Sequence, residues 1–114
     1  MRFDQERLLE AGMGDPEFTR ELVEMMLADG AARLRTLRLA VQAEDWQIAG
    51  REAHSLKGAS LSVGAEDLAK LCAQVDDTIR HLKQRVTLGE LDAIDAEFAA
   101  VQCEIVRMIE GLQA

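Results

Sequence analysis

Tyrosine is absent from the chain, Trp46 is the single tryptophan, and aromatic residues make up 4% of the sequence. Long alternations of Val, Ile and Thr are also missing, so nothing marks a half-buried strand. Proline occurs once, as Pro16, which leaves long segments free of helix breakers. Basic residues are outnumbered, 13 against 21 acids, for a net charge of −8. That balance argues against nucleic acid and against anionic lipid as partners, because both need a basic surface. No stretch approaches the roughly 18 apolar residues of a membrane span. The N-terminus, MRFDQERLLEAG, has no apolar run, so no secretory leader is expected. Two cysteines, Cys72 and Cys103, lie far apart without metal-ligand spacing and read as reduced core residues. The expected compartment is the cytoplasm.

What is present is alanine, leucine and glutamate in helical periods. With 48% apolar residues over 114 positions, the chain can bury one core, and residues 1–114 are expected to form one domain. Asp4 reads as the N-cap of a short first helix, with Phe3 and Leu8 as a hydrophobic staple and Gly12 and Gly14 as its end. Asp15-Pro16 opens a second helix that can run to Gln42, with Val23, Leu27, Gly30, Leu34, Leu37 and Val41 in one stripe widened by Leu22 and Met26. The Met25-Met26 pair reads as core filler. Asp45 caps a third helix whose small or apolar face is Ala49, Ala53, Leu56, Ser60 and Val63, and Gly64 breaks it. A fourth helix is expected from Ala65 to Arg85, with Leu68, Leu71, Val75, Ile79, Leu82 and Val86 on one side. Thr87 and Glu90 form a capping box before a fifth helix carrying Leu91, Ile94, Phe98, Val101, Ile105, Met108 and Leu112. The fold expected is all-α: an up-down-up-down four-helix bundle with a short extra N-terminal helix at one end. Short glycine-containing turns and varied stripes disfavour the rival, an extended coiled coil.

The residues that suggest chemistry lie on the third helix. One of the two histidines, His54, stands four residues from Gly50 and four from Gly58. Such positions share one helix face, so an imidazole sits between two bare stretches of backbone. Each interior glycine costs a helix about 1 kcal/mol against alanine, which suggests that something large must approach the ring. His54 lies about 130° from the centre of its helix's apolar face and is expected to be exposed. Arg51 and Lys57, three residues to either side, give an acidic protein a local positive zone in which Glu52 is the one acid between Trp46 and Ala65. Both cations suit a phosphoryl group. Neutral imidazole is a competent nucleophile near pH 7, and glycine clearance would let another protein's active site close over it. No P-loop, nucleotide loop or acidic metal cluster is visible, so nucleotide and metal chemistry would belong to partners. His81, between Arg80 and Leu82, lacks the glycine stripe and reads as a surface residue. Leu61, seven residues past His54, points toward the same side and could belong to a docking patch.

Ala53-His54-Ser55-Leu56-Lys57-Gly58-Ala59-Ser60, followed by Val63-Gly64-Ala65, Leu68 and Leu71-Cys72, resembles the signature of histidine-containing phosphotransfer domains. The H-x-L-K-G core and the glycine six residues later match without a gap. The residue-level likeness runs from Ala53 to Asp76, and the helix pattern extends it over the chain. The resemblance implies a four-helix bundle and phosphoryl exchange with the aspartate of a receiver domain, which supplies Mg²⁺. His54 would then be the phosphoacceptor, reacting through Nε2. Lys57 would neutralise the phosphoryl group and Gly58 would give the receiver clearance. Asp76 matches the acidic or amide position that sits near the histidine. Arg51 stands outside the core motif and rests on helix geometry alone. The implied partners are response-regulator receiver domains and a sensor or hybrid histidine kinase. No cofactor, no kinase or phosphatase activity and no dimerisation are expected. A docking module that binds a receiver without transfer is the competing reading, and the intact His54-Lys57-Gly58 set speaks against it. A di-iron bundle would need Glu-x-x-His motifs, which neither histidine has.

Overall fold

The computed structural model describes residues 2–113, with the side chain of Gln113 outside the description. The described residues form five helices: α1 Gln5–Ala11, α2 Pro16–Gln42, α3 Trp46–Ser62, α4 Glu66–Arg80 and α5 Leu88–Gln113. No strand occurs among those residues.

Three helix starts follow from aspartates. Asp4 accepts from the Arg7 amide at 3.3 Å, Asp15 from Glu17 at 3.0 Å, and Asp45 from Ile48 at 3.2 Å. Each satisfies an amide that the first helical turn leaves without a partner. At the α5 start the Glu90 amide donates to Thr87 Oγ1 at 3.3 Å, one of the two bonds of a capping box. The ends of α2 and α3 are closed by the same device. The Asp45 amide reaches back to the Ala40 carbonyl at 2.8 Å, and the Ala65 amide to Ser60 at 2.9 Å. The residue before each is left-handed: Glu44 at φ 56° and Gly64 at φ 70°. Gly64 is also crowded, because a Cβ there would stand 2.5 Å from that of Asp4. The Asp4 amide donates to the Val63 carbonyl at 2.8 Å, which ties the N-terminal segment across the α3–α4 turn. Phe3 and Leu8 close that end of the core.

α3 packs between α2 and α4, and α5 packs against α2 and α4, so the four long helices enclose one core. Its centre is made by Leu37, Ala49, Ala53, Cys72 and Ile94, each at most 1% exposed. Burial pushes the Cys72 thiol up to about 12, so it stays protonated and unreactive at neutral pH. No helix among the described residues is long and apolar enough to cross a membrane.

Three expectations need correction. α4 stops at Arg80, five residues before the expected Arg85. The backbone turns out through Lys83 at φ 55°, and the Gln84 amide reaches back to the Thr78 carbonyl at 3.0 Å. This turn buries Val86 against the start of α5 and leaves Leu82 exposed, although Leu82 continues the apolar stripe. Met25 is 71% exposed, so only Met26 of that pair packs on the core. Cys103 is exposed rather than a core residue, because it sits on the outer face of α5.

Candidate functional site

The site is built on facing stretches of α3 and α4. Ala49, Ala53 and Leu56 are buried and fix the roll of α3. His54, one position past Ala53, therefore stands outward, with 59% of its side chain exposed. On α4, Cys72, Val75 and Ile79 are buried, and Asp76 follows Val75 into the α3–α4 contact with only 6% of its side chain exposed.

Asp76 Oδ2 lies 3.0 Å from His54 Nδ1. An ionised carboxylate can only accept, so Nδ1 carries the proton of this bond. In the neutral ring the lone pair is then on Nε2, at the exposed edge. The other carboxylate oxygen, Oδ1, is paired with Arg80 Nη1 at 3.4 Å, one helical turn along α4. A nearly buried charge thus has a cation on one oxygen and an imidazole on the other, as its desolvation demands. Sequence reasoning named Asp76 and missed Arg80. The signal was an Asp and an Arg four residues apart on one helix.

An open depression of about 750 Å³ borders His54, lined also by Arg51, Ser55, Arg80, His81 and Lys83 among others. Cations dominate this rim. The nearby acid Glu52 is taken by Arg33 of α2 at 3.3 Å, and Asp77 by His81 at 3.0 Å. Arg51 and Lys57 form no ion pair among the described residues. Arg51 borders the depression, whereas Lys57 lies half-buried one turn further along α3 and outside it.

The two glycines flanking His54 have opposite surroundings. Gly58 is exposed, and nothing lies within 4 Å of the place where a Cβ would stand. Gly50 is buried, and its Cβ would come within 2.9 Å of Arg80 Cγ and 3.3 Å of Ile79 Cγ2. The expectation that Gly50 presents bare backbone to a partner is therefore corrected. Helix α4 of the same chain occupies that space. Leu61 is 48% exposed two turns beyond His54, and its carbonyl accepts from Arg7 Nη1 at 2.9 Å. Its exposure leaves it open for contact. No group of three or more His, Cys, Asp or Glu side chains among the described residues could hold a metal ion.

A family model described as the Hpt domain matches residues 21–104. The structure is similar to the crystal structure of histidine-containing phosphotransfer protein B (HptB) from Pseudomonas aeruginosa PAO1. That likeness covers 96% of this chain and 95% of that one, at 27% identity and a TM-score of 0.84. No curated protein sequence matches the chain. With a family match across the site and a solved relative of the same shape along nearly its whole length, the chain belongs to the Hpt domain family.

Proposed function

We propose that this protein carries a phosphoryl group on Nε2 of His54, exchanging it with the aspartate of a receiver domain in a two-component phosphorelay. Hpt proteins are intermediates of phosphoryl transfer that work with receiver domains and histidine kinases. The observation that carries the reading is the 3.0 Å contact between His54 Nδ1 and Asp76 beneath a ring that is 59% exposed.

In the forward step the Nε2 lone pair attacks phosphorus of the receiver's aspartyl phosphate. The N–P bond forms as the P–O bond to the receiver carboxylate breaks, and that carboxylate leaves with the electron pair. The ring keeps its Nδ1 proton and becomes an imidazolium beside the ionised Asp76, which favours the charge that develops. Return of the group to a second receiver reverses these changes. Lys57 and Arg51 supply positive charge for the phosphoryl oxygens, Gly58 gives the receiver close approach, and Leu61 extends the contact surface. Mg²⁺ is supplied by the receiver, and the chain contributes no cofactor, kinase or phosphatase activity of its own.

Residues 1–114 are read as one Hpt domain acting as a cytoplasmic monomer, with neither nucleic acid nor membrane as a partner. The long helices are read as up-down-up-down. The links after α2 and α3 are residues 43–45 and 63–65. Such a link spans about 10 Å, while a parallel return along α3 would need about 25 Å.

The test is incubation with a phosphorylated receiver domain. The expected result is acid-labile, alkali-stable label on the wild type and none on His54→Gln. Receiver binding without label on the wild type would instead support a docking module.

A further inference from the structure

Asp76 can hold the imidazole in one tautomer only while its carboxylate keeps Oδ2 on Nδ1. A carboxylate free to swing away would leave Nδ1 without its acceptor, and the ring could then carry its proton on Nε2, where it cannot attack phosphorus. The side chain of Asp76 is 6% exposed, so its oxygens depend on protein partners rather than on water. A neutral imidazole offers one hydrogen bond and no charge. Among the described residues, the permanent positive charge paired with Asp76 is Arg80, at 3.4 Å from Oδ1.

The position of Arg80 depends on Gly50. The arginine stem crosses α3 where Gly50 has no side chain. A Cβ at that position would stand 2.9 Å from Cγ and 3.3 Å from Cδ of Arg80. Cγ is the second carbon of the stem and cannot retreat unless the whole side chain rotates. Such a rotation would carry the guanidinium away from Asp76. The distances thus form a series from backbone to nucleophile: Gly50 admits the Arg80 stem, Arg80 pairs with Asp76, and Asp76 holds His54 Nδ1.

We propose that Arg80, seated on the bare backbone of Gly50, is a positioning residue that holds the Asp76 carboxylate with Oδ2 on Nδ1 and so fixes the His54 lone pair on Nε2. The inference rests on the phosphoacceptor reading of His54 and deepens it, since it names what holds the nucleophile ready before any partner arrives. It also gives Gly50 a role inside the chain in place of one at the docking surface.

The test uses the full unphosphorylated chain and no receiver, so its outcome is separate from that of the relay assay. Imidazole ¹⁵N shifts of His54 are recorded at about pH 9, above the ordinary imidazole range. The wild type is expected to be protonated on Nδ1. Arg80→Gln should raise the Nε2-protonated fraction about tenfold relative to the other form, equivalent to 1.4 kcal/mol of lost orientation. Arg80→Lys, which keeps the charge, should restore most of the wild-type ratio. Gly50→Ala should shift the ratio in the same direction as Arg80→Gln. In an Arg80→Ala background, where the stem is gone, Gly50→Ala should add no further shift. An unchanged ratio in Arg80→Gln would overturn the proposal. A Gly50→Ala effect of equal size with and without the arginine stem would overturn the part assigned to Gly50. Arg80→Gln and Arg80→Lys alter a side chain that is 46% exposed, so the central comparison survives even if Gly50→Ala does not fold.

Discussion

His54 and His81 border the same depression, and each has Nδ1 3.0 Å from an aspartate oxygen. By hydrogen-bond geometry alone the two pairs are alike. They differ in what surrounds the carboxylate. Asp77 is 61% exposed and sits four residues before His81, which follows the end of α4, so water can replace its bond at little cost. Asp76 is 6% exposed, reaches His54 from a neighbouring helix, and is paired with Arg80 on its other oxygen. A buried carboxylate held from both sides cannot turn to solvent, and the ring it holds has a defined tautomer. The comparison teaches that a histidine–carboxylate distance does not define a site, whereas burial and bracing of the carboxylate do.

The largest effect separates the rings themselves. His54→Gln should abolish label from a phosphorylated receiver, whereas His81→Gln, which alters an exposed pair of small worth, should leave the initial rate within about twofold. Label retained on His54→Gln would break the distinction.

Next come the carboxylates. A hydrogen bond to a charged group contributes about 1.5–3 kcal/mol, so Asp76→Asn should slow transfer by about 10- to 100-fold. Asp77→Asn should change the rate by less than about twofold, as expected of an exposed pair. Equal effects in stopped-flow transfer assays would remove burial as the deciding factor.

The flanking glycines sharpen the same contrast in stability. Gly58→Ala, in open space on a helix, should raise unfolding free energy by about 0.5–1 kcal/mol and weaken receiver binding. Gly50→Ala forces a crowded contact and should lower it by about 1–3 kcal/mol. Urea titrations of both variants check the opposite signs. The smallest effect concerns the cationic rim. Arg51→Glu should weaken receiver association by about threefold at low salt, and the difference should fade as ionic strength rises.

Much of this was legible from residues. The Asp4, Asp15 and Asp45 caps, the Thr87-x-x-Glu90 box and the three-four stripes located the helix starts and the core face, because these signals are local. The end of α4 was not legible. Leu82 and Val86 continue its apolar period, and only the packing of Val86 at the α5 entrance shows that the chain turns at Lys83. At the site, the exposure of His54 followed from its angle to Ala53 and Leu56. The structure places the Asp76 side chain at Nδ1, a contact between two helices that the family likeness anticipated and spacing could not show. Gly50 was misread for the same reason. Periodicity says that a glycine faces outward from its own helix, but not whether a partner or a neighbouring helix fills the space. Met25 and Cys103 show the reverse error, since an apolar residue type does not fix which face of a helix is buried.

The most direct measurement is the position of the phosphorus atom. Heteronuclear ³¹P and ¹⁵N NMR of the chain after reaction with a phosphorylated receiver should show one N–P bond, at Nε2 of His54, with His81 unmodified. A phosphoryl group on Nδ1 of His54, or on His81, would contradict the claim that Asp76 selects the reacting nitrogen.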